Sequence, residues 1–178
     1  MCARRATIPA SASAPSARQS LDERLLRLAR TWGHGPKADR AVARFSKLGE
    51  RGAVWLAIGA AGYAIDEPRR PQWRRATATV AGTYALNTLV KLAVRRRRPS
   101  LPGLPPLTDT PTQLSFPSTH ASTSFAGALA YTRLGLPALP TYALAKGLSV
   151  SRLYLGVHYP SDVLAGALLG TAIAAVAS

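Results

Sequence analysis

This chain has few acidic residues, few lysines, three histidines and a single cysteine. The lone Cys2 excludes a disulfide framework within the chain. Eight carboxylates against 23 basic side chains leave a formal net charge of +15, and only Lys37, Lys47, Lys91 and Lys146 among the bases are lysine. That arginine bias fits a GC-rich bacterial genome. No apolar stretch of the length a signal peptide needs occurs in residues 1–20. The Ala/Ser/Pro-rich segment 1–19 reads as a disordered tail. A chain this basic has two natural kinds of partner, nucleic acid and the anionic surface of a membrane.

What the chain does contain decides between them. Residues 52–65, 76–90, 134–145 and 163–178 carry no charge, and 110–132 carry none apart from His120 if protonated. Each run lies at or below the roughly 20 residues that cross a bilayer as a straight helix. Several reach a workable length once one ionisable residue near an end snorkels or faces the protein interior. The alternative is buried helices of a soluble protein; with the runs so extended, a polytopic membrane protein is the better reading. The expected fold is therefore all-α: a polytopic membrane helix bundle of about five spans, near 50–66, 74–94, 119–134, 137–153 and 160–177. Amphipathic interfacial helices precede it over 20–48. Ser20 is placed as an N-cap with Asp22 and Glu23 in the first turn; Leu21, Leu25, Leu28 and Trp32 follow at helical spacing. Residues 20–178 read as one domain. Six prolines exclude a helix over 99–117, and so long a connection points to function.

Ionisable residues in membrane segments are costly, roughly 2.5–3.5 kcal/mol each on insertion scales, and here they are not scattered. Lys91 and Arg98 end the second span, His120 opens the third, Arg152 ends the fourth, and His158 with Asp162 opens the fifth. Antiparallel spans bring all six to one membrane face. Three cations around one point suit a phosphate dianion. Ser118 is expected to cap the third span, whose free N–H groups favour an anion. Pro160 suits a first helical turn, which lets Asp162 accept from one imidazole nitrogen of His158. The other nitrogen is then free to attack phosphorus, and His120 remains as the acid for the leaving oxygen.

Lys91 with Arg98-Pro99, then Pro117-Ser118-Thr119-His120, then Ser151-Arg152 followed by His158 and Asp162, resembles the three-part signature of the type 2 phosphatidic acid phosphatase superfamily, which shares its phosphate site with vanadium haloperoxidases. The resemblance implies that His158 forms a phosphohistidine and that Asp162 orients it. It implies that His120 protonates the leaving group and then activates water, and that Lys91, Arg98, Ser118, Thr119 and Arg152 hold phosphate oxygens. No metal or other cofactor is required. One departure stands out: the family's second motif usually has glycine where this chain has Thr119. A backbone N–H is still supplied there, provided the position does not need φ > 0.

The remaining polar residues read more plainly. Arg95, Arg96 and Arg97 are expected to be a positive-inside anchor, His34 an ordinary surface residue, Lys146 a snorkelling side chain, and Tyr154 and Tyr159 packing aromatics. Setting motif residues aside, the site face carries Lys37, Arg40, Arg44, Lys47, Arg51, Arg95, Arg96 and Arg97, against Arg69, Arg70, Arg74, Arg75 and Arg133 opposite. The positive-inside rule then puts the site on the cytoplasmic face of the cell membrane. The partners expected are the bilayer and a lipid phosphate, with no nucleic acid. For a site on that side, the resemblance favours a polyprenyl-phosphoribose phosphate of cell-wall arabinan synthesis. Undecaprenyl pyrophosphate, phosphatidic acid and phosphatidylglycerol phosphate stay open. The rivals are a vanadate-dependent haloperoxidase, a catalytically inactive phospholipid-binding relative and a nucleic-acid-binding protein.

Overall fold

The structure, a computed structural model, describes residues 20–177. The expected tail at 1–19, Cys2 included, lies outside the described residues. Seven α-helices follow in order: α1 Leu21–Ala29, α2 Pro36–Lys47, α3 Ala53–Ile65, α4 Arg70–Val94, α5 Thr119–Thr132, α6 Ala138–Tyr154 and α7 Pro160–Ala177. Two short 3-10 turns, Glu50–Gly52 and Glu67–Arg69, precede α3 and α4. Among the described residues there is no β-strand, only two isolated bridges at Arg97–Leu114 and Leu101–Leu104.

Local chemistry explains the helix starts. At α1 the Glu23 N–H donates to the Ser20 hydroxyl and the Ser20 N–H to the Glu23 carboxylate, a reciprocal capping box. Prolines open α2, α4 and α7 in the first turn, where a missing N–H costs nothing. With Pro71 in its first turn α4 begins at Arg70, ahead of the span expected near 74, so only a single 3-10 turn separates α3 from α4. α1 stops at Ala29, one turn short of the expected Trp32. Its outward side chains Leu21, Leu25 and Leu28 are exposed, as is Trp32 in the turn beyond it, while Leu26 is fully buried against the bundle.

α5 is the central helix, packed by α4, α6 and α7 and touched by α3. Ten of its fourteen residues are Ala, Ser, Thr or Gly, which lets neighbouring backbones come close. α7 answers with Gly166 and Gly170 one turn apart. A Cβ on Gly166 would lie 2.5 Å from the Ser118 carbonyl oxygen, and one on Gly170 would overlap the Ser122 carbonyl. The interior is accordingly polar and small, with Thr83, Asn87, Ser122, Thr123 and Ser124 all fully buried. Many large apolar side chains point the other way: Ile65, Leu89, Leu92, Leu139, Leu164, Leu168 and Val176 are all more than half exposed. α7 alone among the described helices is both long and apolar enough to cross a membrane on those criteria.

Trp73 and Tyr131 stack at one end of the bundle, and Trp55, near the start of α3, packs on Tyr131 from the middle of the core. At the other end the C-termini of α4 and α6 meet the N-termini of α3, α5 and α7. That is where the polar residues gather.

The α5–α7 contact yields a direct test. Gly170→Ala is expected to cost about 1–3 kcal/mol through forced backbone displacement and to lower the melting temperature in detergent. Gly82→Ala on α4, where an added Cβ meets nothing within 4 Å, is expected to leave it unchanged or raise it. Equal effects of the two substitutions would contradict the close packing.

Candidate active site

His158 lies in the short loop between α6 and α7 and is almost wholly buried. Its Nε2 receives the Arg98 Nη1 N–H at 3.1 Å, while the same Nη1 donates to the Val157 carbonyl at 2.7 Å and Nε to that of Thr112 at 2.7 Å. A ring nitrogen that accepts must be unprotonated, so the ring proton sits on Nδ1. Nδ1 faces Asp162 Oδ2 at 3.5 Å, longer than an ordinary hydrogen bond. Asp162 is fully buried and firmly held. The Tyr159 N–H donates to Oδ2 at 2.8 Å, and Arg96 Nη1 donates to Oδ1 at 2.9 Å.

His120, in the first turn of α5, has Nε2 at 2.9 Å from the Ser46 carbonyl. A carbonyl only accepts, so Nε2 carries the proton and Nδ1 is left with the lone pair. Gly49 makes room for this ring, since a Cβ there would lie 2.7 Å from His120 Cδ2. Ser46 also ties in the end of α6: its hydroxyl accepts from Arg152 Nη1 at 2.7 Å and from the Ser151 hydroxyl at 3.0 Å. Helix α2, expected as a surface element, therefore roofs both His120 and Arg152.

Lys91 is buried, and its ammonium donates to the carbonyls of Leu114, Ser115 and Pro117 at 3.2, 3.2 and 2.9 Å. Its three protons are thus committed to pinning the connection against α4, and it reaches an anion only by exchanging one of them. One turn earlier, Asn87 donates to the Thr119 hydroxyl at 2.8 Å and accepts from that of Ser122 at 3.1 Å. Thr119 is helical, with no left-handed backbone, so this position does not require glycine. Ser118 gives its N–H to the Asp162 carbonyl at 2.9 Å, and its own hydroxyl is buried without a partner.

Lys91, Arg98, Thr119, His120, Arg152 and His158 line one cavity of about 520 Å³, whereas Ser118 and Asp162 stand behind its wall. Ala43, Ser46, Lys47, Glu50 and Arg51 form one side of the mouth; Thr108, Asp109, Pro111 and Thr112 of the long connection form the other. That connection is fixed from α1: buried Arg30 donates to the carbonyls of Pro105 at 2.7 Å and Tyr154 at 3.0 Å.

Comparison with known proteins gives this arrangement a family. The PAP2 superfamily profile matches residues 72–178. The chain belongs to the PAP2 superfamily. A protein of Mycobacterium tuberculosis named decaprenylphosphoryl-5-phosphoribose phosphatase is 43% identical over 138 residues, covering 76% of this chain and 77% of that one. Among solved structures, Aquifex aeolicus LpxE superposes with a TM-score of 0.76 at 23% identity, covering 90% of this chain and 96% of that one. The transmembrane PAP2-type phosphatidylglycerolphosphate phosphatase of Bacillus subtilis gives 0.73, also at 23% identity, covering 88% and 82%. At such identity these two speak for the fold alone.

This PAP2 chain is a hydrolase of phosphoric esters, and its site holds residues that the motif reading passed over. Arg96 is not a free anchor. Besides Asp162 it donates to the Ser161 hydroxyl at 2.7 Å and to Asp22 at 2.8 Å, and it lies 4.1 Å over the Tyr159 ring. Arg95 and Arg97 are exposed, as an anchor requires, and so is Lys146. His34 departs from a surface role: it stacks on Tyr154 at 4.0 Å and lies 3.0 Å from Asp39, joining α1 and α2 to α6. Tyr154 serves the same join, its hydroxyl donating to Asp39 at 2.7 Å.

Burial, and then the neighbouring Arg98 cation, holds His158 well below the ordinary histidine range. Burial also brings Arg98 down to about 10, which still leaves it charged at neutral pH. A depressed His158 binds its proton only at low pH, so the neutral ring persists into acid. In histidine-labelled protein, the His158 ¹⁵N signals should stay at neutral-imidazole positions from pH 8 to well below the usual value of about 6.5. Arg98→Gln removes both the repelling charge and the bond to the neutral form, and should move the titration upward. A wild-type midpoint near 6.5 would contradict this account of the site.

Proposed function

We propose that this PAP2 protein is a polytopic membrane lipid phosphatase that works through a covalent phosphohistidine at His158. The observation that carries the reading is a single cavity in which two buried histidines are held in opposite tautomers. Nε2 of His158 bears the lone pair, next to Arg98, Arg152 and Lys91; Nε2 of His120 is occupied by the Ser46 carbonyl. In the first step His158 Nε2 attacks phosphorus and the bond from phosphorus to the ester oxygen breaks. Beside the substrate's phosphate dianion His120 takes up a proton from solvent on Nδ1; it gives that proton to the leaving oxygen, and Asp162 stabilises the positive charge growing on His158. In the second step His120 Nδ1 takes a proton from water as that water attacks the phosphohistidine, releasing phosphate and restoring His158. The guanidinium groups of Arg98 and Arg152 balance the charge on the equatorial oxygens. The chemistry calls for no metal or other cofactor.

Outward-facing apolar side chains on α3, α4, α6 and α7 support embedding of the whole bundle, about five spans, with α1 lying in the interface through Leu21, Leu25 and Leu28. The cation bias at the mouth favours a cytoplasmic site. A relative named as a phosphatase at 43% identity argues against the haloperoxidase reading.

The substrate suggested by that relative carries a terminal phosphate on ribose and a second, bridging phosphate to the lipid. The cavity mouth suits such a molecule. Lys47 and Arg51 make no side-chain hydrogen bond or ion pair among the described residues and would meet the bridging phosphate. The carboxylates of Glu50 and Asp109 would accept from the ribose hydroxyls. The polyprenyl chain would leave past Tyr84 and Thr88, which line the cavity on α4, towards the exposed Leu89 and Leu92.

Phosphate release is the measurement that decides. Detergent-purified protein with chelator present is expected to release phosphate from polyprenyl-phosphoribose phosphate faster than from phosphatidic acid, phosphatidylglycerol phosphate or undecaprenyl pyrophosphate. His158→Ala should abolish the release. A folded wild-type protein that releases phosphate from none of them would sink the enzyme reading in favour of a phospholipid-binding relative. Arg51→Gln tests the substrate. Loss of one charge-assisted contact, about 1.5–3 kcal/mol, should raise KM for polyprenyl-phosphoribose phosphate at least tenfold with kcat nearly unchanged. An unaltered KM would mean that the bridging phosphate binds elsewhere.

A further inference from the structure

The charge network behind Asp162 does not end inside the bundle. Arg96 is gripped from four sides. Nη1 is shared between Asp162 Oδ1 at 2.9 Å and the Ser161 hydroxyl at 2.7 Å. Nη2 donates to Asp22 Oδ2 at 2.8 Å, and the guanidinium face lies over Tyr159. Asp22 belongs to α1. Its other oxygen accepts the Ser161 N–H at 3.0 Å, at the N-terminus of α7, and its Oδ2 also receives the Ser161 hydroxyl. Against the opposing effect of burial, the bonds from Arg96 and Ser161 hold the Asp22 carboxyl below the usual carboxylate range, so it is an anion at neutral pH.

We infer that Asp22 of α1 is a positioning residue for the phosphotransfer step, acting on His158 through Arg96 and Asp162. The inference rests on the reading of His158 as nucleophile. A guanidinium presents a planar fork that prefers to take both oxygens of one carboxylate. Arg96 has that option with Asp162, and the structure shows it refused. Asp22 holds Nη2, so only Nη1 reaches Asp162, and Oδ2, with the Tyr159 N–H at 2.8 Å, stays outside the fork and 3.5 Å from His158 Nδ1. With the charge of Asp22 removed, the nearest carboxylate left for Nη2 is Asp162. Oδ2 is then drawn into the fork and lost to the imidazolium that forms during attack. Asp22 lines no part of the cavity, so substrate binding is untouched.

The test compares Asp22→Asn, Arg96→Gln and the double variant, with Glu23→Gln as a control on the same helix that preserves the capping box. Asp22→Asn is expected to lower kcat about tenfold, with KM within twofold of wild type, and to add less than twofold in the Arg96→Gln background. Glu23→Gln should match wild type. An unchanged kcat in Asp22→Asn, or the full loss persisting without Arg96, would overturn the inference. A readout independent of turnover accompanies it, because the chain has three histidines. In ¹⁵N-histidine spectra of micelle-bound protein, Asp22→Asn should shift the His158 Nδ1 signal and leave those of His34 and His120 in place. No shift would overturn the inference whether or not the protein turns over lipid phosphate. Absence of turnover in wild type would count against the phosphatase reading instead.

Discussion

A carboxylate taken fully out of water needs partners on every side, because the penalty for burying an unpaired charge is several kcal/mol. Asp162 is such a group, and the active end of the molecule is built around satisfying it. Its side chain takes N–H donors from Tyr159 and Arg96, and its backbone carbonyl takes the Ser118 N–H. Through Arg96 it is joined to α1, and through Ser118 to the start of α5. The Arg96 carbonyl in turn receives the Ser115 N–H, which fastens the long connection. One residue thus locks three segments far apart in sequence, and His158 stands at the centre of what they enclose.

Such a network needs backbones close enough to touch, and this sets the composition of the interior. α5 and α7 meet over Gly166 and Gly170, where no side chain fits between the backbones. The usual arrangement of a water-soluble protein is reversed. Small and hydroxyl-bearing residues line the α5–α7 contact, while Ile65 and many leucines, such as Leu89, Leu92, Leu164 and Leu168, point outward. Between lipid-embedded helices an apolar interface gains little, since lipid tails are as apolar as leucine; close packing and hydrogen bonds have to do the holding. The Ser/Thr content of α5 therefore has a structural reason.

Most of the helices and all of the motif residues were legible in the sequence, because uncharged runs and spaced histidines are local signals. The supporting residues were not. Ser46, Asn87 and Asp22 are ordinary residues on helices, and nothing in the sequence shows which partner each will meet across the bundle. Arg96 is more instructive. In a run of four arginines all look alike, and an anchor is the simplest reading. Yet Arg95 takes a left-handed turn at φ 54°, α4 ends, and the next residues run extended, with Arg97 bridged to Leu114. In an extended segment alternate side chains share a side. Arg98 is directed inward by its place in the motif, so Arg96 follows it, and Arg95 and Arg97 remain exposed. The proline after Arg98, which ends any helix, was the available clue.

Thr119 shows how a departure from a family pattern is absorbed. Glycine at a helix start offers close approach and backbone freedom, but freedom is not used here, since the residue is helical. The threonine hydroxyl takes a hydrogen bond from Asn87 Nδ2 at 2.8 Å; the other acceptor within reach of that amide, the Pro117 carbonyl, lies at 3.4 Å. A glycine at 119 would leave a buried amide donor poorly satisfied, at a cost of about 1–3 kcal/mol. The same Asn87 sits one helical turn before Lys91, whose ammonium is committed to the carbonyls just ahead of Ser118. Asn87 and Lys91 therefore act as adjacent fasteners from α4 onto one short stretch, 114–119, which carries the chain into His120. Thr119 is better understood as half of a pair with Asn87 than as a flaw in the motif.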